Sequence, residues 1–120
     1  MGTDLSIITP MQALQKEFNA KEAFAEATLN FSKNHSEMLT LKNLKDRSLI
    51  QLAIKQEGKS YAEKERKAID SAEWGLYLDG LNASIAESEK WGAQKEIAKT
   101  AFEFWQSFVY ELGTQRRTGT

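Results

Sequence analysis

The side chains that could support catalysis are few and do not converge. His35 is the single histidine of the 120-residue chain and lies in the polar stretch Ser32–Glu37. As a base or a metal ligand it would need partners, yet the sequence has no cysteine, and metal sites usually use several His or Cys ligands. Carboxylates two residues apart, such as Glu87 and Glu89, point to different faces of a helix. We therefore expect a non-catalytic protein without cofactor or metal, in which His35 is a solvated or interface polar residue.

The distribution of charge points to an anionic partner. Gly58-Lys59-Ser60 matches the end of a phosphate-binding loop, but the first glycine of that motif would fall at Ala53, and no strand pattern precedes it. Residues 42–67, in contrast, carry eight basic and four acidic side chains in a chain whose net charge is −1. We call the eight basic residues the basic zone: Lys42, Lys45, Arg47, Lys55, Lys59, Lys64, Arg66 and Lys67.

The basic zone has two interpretations. Its side chains would contact the phosphates of a nucleic acid, with Tyr61, Trp74 and Tyr77 available to stack on the bases of a single strand. Alternatively, it is a solvated helix face with ordinary pairs such as Glu63 with Lys67. Trp74 is then a core residue, and both interpretations stay open at this point.

The elements that position these residues are helices. Thr9-Pro10 is a good helix start, because threonine caps and proline at the first helical position loses no needed donor. From there to Gln56 the sequence has no glycine and no further proline, and apolar residues recur at helical spacing. The pattern predicts one helix over residues 10–56, about 70 Å long at the usual rise per residue.

A turn and a second long helix follow. Gly58 is predicted to end the first helix in the left-handed conformation, and Ser60 with Glu63 has the spacing of a capping box. The second helix should have a kink near residues 70–75, at Asp70-Ser71 or near the glycines that follow, and should end at Gly113. The fold class is thus an all-α, long antiparallel helical hairpin over residues 10–113, with a flexible N-terminus (1–9) and a flexible basic tail (114–120).

Self-association is expected from the aromatic residues of the last helix. A lone hairpin buries one side of each helix, so its stability per residue should be poor unless copies pack together. Five aromatic residues are spread around the helix, where one partner helix cannot cover them all. They are the candidate homo-oligomer interface: Phe102, Phe104, Trp105, Phe108 and Tyr110.

Other features restrict the class of protein. No run of 18 or more apolar residues exists, and the N-terminal sequence lacks the basic region and apolar core of a secretory signal. The absence of cysteine excludes disulfides and thiolate chemistry and is compatible with a reducing compartment. These observations indicate a single-domain cytoplasmic protein without membrane contact.

The chain also resembles a known family. The passage FSKNHSEMLTLKNLKDRSLIQLAI, the Gly-Lys turn, the segment EGKSYAEKERKAID and the Trp- and Ala-containing last helix with its basic tail resemble recombination mediators of the UvsY type from tailed phages, over residues 20–117. Members of this family form ring-like homo-oligomers, bind single-stranded DNA and help load a RecA-like recombinase onto DNA covered by single-strand-binding protein. The resemblance implies the same function and partners here, in the cytoplasm of a host cell.

The match to the family's basic pair is incomplete. That pair, of the form K-x-R, lies at the end of the family's first long helix, whereas Lys45-Asp46-Arg47 lies earlier and Lys55-Gln56-Glu57 has an acid in place of the arginine. The candidate DNA-binding residues are therefore the whole basic zone. Two other functions stay open: a helical phage protein that inhibits a host defence or repair enzyme, with the acidic segment 68–113 as a DNA mimic, and a structural coiled-coil adaptor.

Overall fold

The computed structural model describes residues 8–117. Within this range the chain forms four α-helices and no strand: α1 (Pro10–Asn43), α2 (Lys45–Ile54), α3 (Tyr61–Ile69) and α4 (Ala72–Arg117). The predicted all-α helical hairpin is confirmed. In the same residues, no helix combines the length and the apolar character needed to cross a membrane.

The helices form two compact units. The terminal unit contains residues 8–31 and 91–117, and the turn unit contains residues 32–90. In the terminal unit the start of α1 packs antiparallel to the end of α4, since Phe24 contacts Phe102 with ring centroids 6.2 Å apart. Further along, Lys95 Nζ lies 5.1 Å from the centroid of the Phe31 ring, a cation–π contact between the two helices.

The seam of the terminal unit follows the spacing of a coiled coil. Most of its half-buried or buried positions recur at alternating steps of four and three residues, the repeat that keeps one stripe of each helix facing its partner. On α1 they are Ala13, Glu17, Ala20, Phe24, Ala27 and Phe31, and on α4 they are Trp91, Lys95, Ala98, Phe102, Trp105, Val109 and Leu112. Of these residues, only Ala13 and Ala27 are buried, so the seam excludes little apolar surface from water.

The start of α1 is the predicted one. Thr9 Oγ1 accepts a hydrogen bond from the Gln12 N–H at 3.2 Å, and Gln12 Oε1 accepts one from the Thr9 N–H at 2.9 Å. Two backbone donors that a helix start leaves without intrahelical partners are thereby satisfied. Pro10 occupies the first helical position, where its missing N–H costs nothing.

The single helix predicted over residues 10–56 is wrong, because the structure interrupts it at Leu44. Leu44 has φ −89° and ψ 0°; its N–H closes the last turn of α1 on the Thr40 carbonyl, and its carbonyl accepts the first bond of α2 from Ser48. Asn43 and Asp46 are weaker helix formers, but neither glycine nor proline lies at this interruption. It accompanies the packing of α2 against α3, and tertiary packing overrides local propensity here.

The turn after α2 confirms one prediction and corrects another. Ser60 caps α3, as its Oγ accepts the Glu63 N–H at 3.2 Å, while Glu63 Oε2 accepts the Lys59 N–H at 3.0 Å. Gly58 does not adopt the predicted left-handed conformation; the C-cap of α2 is Lys55, in the right-handed region. Gly58 instead leaves space, because a Cβ there would lie 3.2 Å from Lys64 Cγ.

The predicted kink near residues 70–75 is confirmed at Asp70 and Ser71, between α3 and α4. Ser71 Oγ accepts the Trp74 N–H at 3.2 Å and donates to the Ala68 carbonyl at 2.6 Å, so one hydroxyl serves both helix ends. The predicted helix end at Gly113 is wrong, since α4 continues to Arg117. Of the segments predicted to be flexible, residues 1–7 and 118–120 lie outside the described residues.

Candidate nucleic-acid interface

The structure places the whole basic zone in the turn unit. Its residues are distributed over the last turn of α1 (Lys42), the start of α2 (Lys45, Arg47), the C-cap of α2 (Lys55), the turn (Lys59) and α3 (Lys64, Arg66, Lys67). Because α2 packs against α3, a cluster that is local in sequence also belongs to one compact body. Seven of the eight side chains are exposed, and Lys64 is half-buried.

Two lysines of the basic zone are engaged within the turn unit. Lys67 Nζ donates to the Glu57 carbonyl at 2.6 Å and lies 3.8 Å from Glu63 Oε1. The stem of Lys64 lies beside Gly58. For Lys67 the interpretation as an ordinary helix pair therefore holds, although an exposed pair of this kind contributes only about 0.3–0.5 kcal/mol. Its bond to the Glu57 carbonyl also ties α3 to the turn.

The other six basic side chains face solvent without an ion pair. Within residues 8–117, the structure pairs none of them with a carboxylate. They are Lys42, Lys45, Arg47, Lys55, Lys59 and Arg66. Exposed and uncompensated cations of this kind retain their full attraction for phosphate groups, and that attraction does not depend on base sequence.

Two of the three aromatic residues near the basic zone are not available to stack on bases. Trp74 is buried, and its ring stacks on Tyr77 with centroids 5.3 Å apart. The Tyr77 hydroxyl donates to the Leu41 carbonyl across the turn unit. Trp74 is a core residue, as the alternative interpretation had it, and Tyr77 is half-buried beside it. Tyr61, in the first turn of α3, is half exposed.

Sequence reasoning missed the apolar residues that are interleaved with the basic zone. Ile50 and Ile54 are exposed on α2, and Ile69 is exposed at the end of α3. A signal existed for the pair on α2: Leu49, Leu52 and Ala53 take the inward stripe, so residues 50 and 54 share a different face. The surface around the turn therefore offers apolar contacts as well as charge.

His35 is a half-buried polar residue of the turn unit. Its Nδ1 lies 3.1 Å from Ser88 Oγ, and Ser88 is 4% exposed, so α1 and α4 share a partly buried polar contact within the turn unit. Nothing in the sequence pattern identified Ser88 as the partner. Within residues 8–117, no group of three or more His, Asp or Glu side chains is placed to hold a metal ion.

The candidate oligomer interface is divided by the fold of the terminal unit. Phe102 faces the seam, against Phe24. Phe104, Trp105 and Phe108 contact one another, with ring centroids 5.1–6.3 Å apart. Phe104 and Tyr110 are exposed, whereas the other three rings of the predicted interface are half-buried. The assignment of these residues to an interface stays a prediction.

Comparison with known proteins adds no relative. No protein-family model matches the chain, and neither a curated protein nor a solved structure matches it significantly.

Proposed function

We propose that the protein is a non-catalytic, single-stranded-DNA-binding recombination mediator that acts as a homo-oligomer. The observation that carries this proposal is the group of six exposed, unpaired cations around α2, the turn and α3. The resemblance to mediators of the UvsY type supplies the more specific function, which is loading of a RecA-like recombinase onto DNA covered by single-strand-binding protein.

The chemistry of this surface favours contact with the DNA backbone over the reading of bases. Lysine and arginine side chains bind phosphates at any sequence. The half-exposed ring of Tyr61 adds a surface on which a base of any kind can stack. A flexible single strand can bring both its phosphates and its unpaired bases to such a surface, whereas a duplex keeps its bases stacked. We therefore expect binding that prefers single strands and ignores their sequence.

Self-association supports this function physically. Among residues 8–114, the buried apolar side chains are two large ones, Trp74 and Leu81, and four alanines, while large apolar residues are exposed along the helices. A chain with so thin a core gains stability when copies cover these side chains. Repetition of the basic zone would also raise the affinity for a long strand through multivalency, which the few charges of one chain cannot supply.

Fluorescence anisotropy of a labelled oligonucleotide at several salt concentrations tests the DNA-binding half of the proposal. The double variant Lys55→Ala and Lys59→Ala should weaken binding to all sequences equally and flatten the log–log salt dependence by about 1.4, that is about 0.7 for each lost phosphate contact. The matched control, Lys16→Ala with Lys21→Ala, removes the same charge from exposed positions of α1 outside the basic zone. It should keep the wild-type slope.

The mediator half is tested separately, with a RecA-like recombinase encoded by the same genome. Addition of the protein should shorten the lag before that recombinase assembles on DNA covered by single-strand-binding protein, and the Lys55→Ala and Lys59→Ala variant should shorten it less. Absence of DNA binding at low salt by the assembled wild-type oligomer would refute the proposal. The inhibitor of a host enzyme would then be the better hypothesis.

A further inference from the structure

The terminal unit carries two exposed apolar strips outside its seam. On α1, Met11, Leu14 and Phe18 are 49–76% exposed, and we call them the α1 strip. On α4, Ile97 and Phe104 are 63% and 47% exposed. With the exposed Ala101 between them, they form the α4 strip: Ile97, Ala101 and Phe104. Each strip spans eight residues, with one step of three and one step of four, the same repeat as the seam.

The two strips lie on opposite sides of the antiparallel pair. Successive residues are turned by about 100° around a helix. Around α1, the α1 strip lies roughly 130° from the seam, in the direction in which residue numbers increase. Around α4, the α4 strip lies roughly 100° from the seam, in the direction in which residue numbers decrease. Because α4 runs antiparallel to α1, its direction of rotation is also reversed when both helices are viewed from one end. Both displacements are therefore clockwise in that view, which places the strips on opposite sides.

The side of the α1 strip is grooved. A groove of about 150 Å³ is lined by Pro10, Leu14, Val109 and Leu112, next to a wider depression lined by Glu17, Gln106 and Tyr110. On the opposite side, Ile97 and Phe104 stand out from α4 with a small alanine between them. A ridge of this form can insert into the groove beside Leu14 on another copy.

We infer that the α1 strip of one copy docks on the α4 strip of the next copy. The occupant of each strip is a second copy of this chain, because the strips share the heptad repeat and the same length, and are complementary in shape. Because the strips lie on opposite sides, a copy that is bound through one strip still exposes the other strip to a further copy. Such a heterologous contact adds copies successively, into a closed ring or a filament.

This inference rests on the self-association in the proposed function and specifies it. It also assigns the last-helix aromatics to two different contacts instead of one interface. Phe104 and Tyr110 are six residues apart, and each is displaced by more than 90° from the α4 seam, in opposite directions. Tyr110 thus belongs to the side of the α1 strip and Phe104 to the other side, where they meet different neighbours.

Mixing two complementary variants tests the contact. Phe18→Glu disables the α1 strip, and Phe104→Glu disables the α4 strip, since each places a charge in an apolar contact. Each variant alone should be a monomer of 13.6 kDa by light scattering. An equimolar mixture should form a heterodimer of twice that mass, because one chain retains the α4 strip and the other retains the α1 strip. The double variant, Phe18→Glu with Phe104→Glu, should not join either chain.

Each other outcome has a distinct meaning. A homodimer of either single variant, or no heterodimer in the mixture, would overturn the heterologous contact while leaving self-association in place. A monomeric wild type would overturn both. Circular dichroism checks that the variants keep the wild-type helix content. If they do not, Met11→Glu and Ile97→Glu replace them in the same experiment, since these two side chains are 76% and 63% exposed in the single chain.

Discussion

Replacement of Gly80 by alanine should stabilise the protein. Gly80 lies inside α4, at an exposed position, although glycines in this region are also candidates for a kink on sequence grounds. A Cβ at residue 80 would meet no heavy atom within 4 Å. The substitution therefore removes the conformational entropy cost of a helical glycine without introducing a clash, and this cost is about 1 kcal/mol relative to alanine.

The size of the effect is measurable by thermal unfolding. For 120 residues, an unfolding entropy of about 2.1 cal/mol/K per residue gives about 0.25 kcal/mol/K, so a gain of about 1 kcal/mol raises the Tm by about 4 °C. The helical circular-dichroism signal reports the transition. Wild type and variants are compared at one protein concentration, because self-association makes Tm dependent on concentration.

Gly92 is the matched control within the same helix. A Cβ at residue 92 would lie 3.3 Å from Cε1 of Phe31, and Lys95 also contacts this ring. The ring would have to shift, so we expect the cost of the tight contact to cancel the gain in helix propensity. An equal rise in Tm for Gly92→Ala and Gly80→Ala would refute the expected clash of the Cβ at residue 92 with Phe31. An unchanged Tm for Gly80→Ala would refute the expected gain from the higher helix propensity of alanine.

Two further substitutions test single polar groups, by the midpoint of urea unfolding. Thr28→Val should raise the free energy of unfolding by about 1 kcal/mol, because Thr28 Oγ1 is buried without a hydrogen-bond partner among the described residues. The control is Thr40→Val. The exposed Thr40 hydroxyl donates to a carbonyl, so this variant should show no gain in the free energy of unfolding. Ser60→Ala should lower the free energy of unfolding by about 1 kcal/mol, since the Glu63 N–H loses its acceptor. The control Ser107→Ala, at an exposed position inside α4, should leave the free energy of unfolding unchanged.

Features that depend on neighbours within three or four residues could be predicted from sequence. The start of α1 at Thr9-Pro10, the cap of α3 at Ser60 and the break at Ser71 each rest on a side chain that bonds a backbone group three residues away. The concentration of charge in residues 42–67 is likewise a property of the sequence, and helix formation keeps it local in space. For this reason the helical hairpin and the location of the candidate site were predictable.

Features that depend on distant residues were not predictable in the same way. The sequence by itself determined that Lys67 is basic, but only the fold brings it to the Glu57 carbonyl, and only the fold places Ser88 beside His35. The interruption at Leu44 also has no glycine or proline as a local cause, and it accompanies the packing of α2 on α3. Propensity acts residue by residue, whereas burial depends on which helix lies opposite. The tertiary structure alone therefore decided which lysines stay free and which apolar strips face solvent.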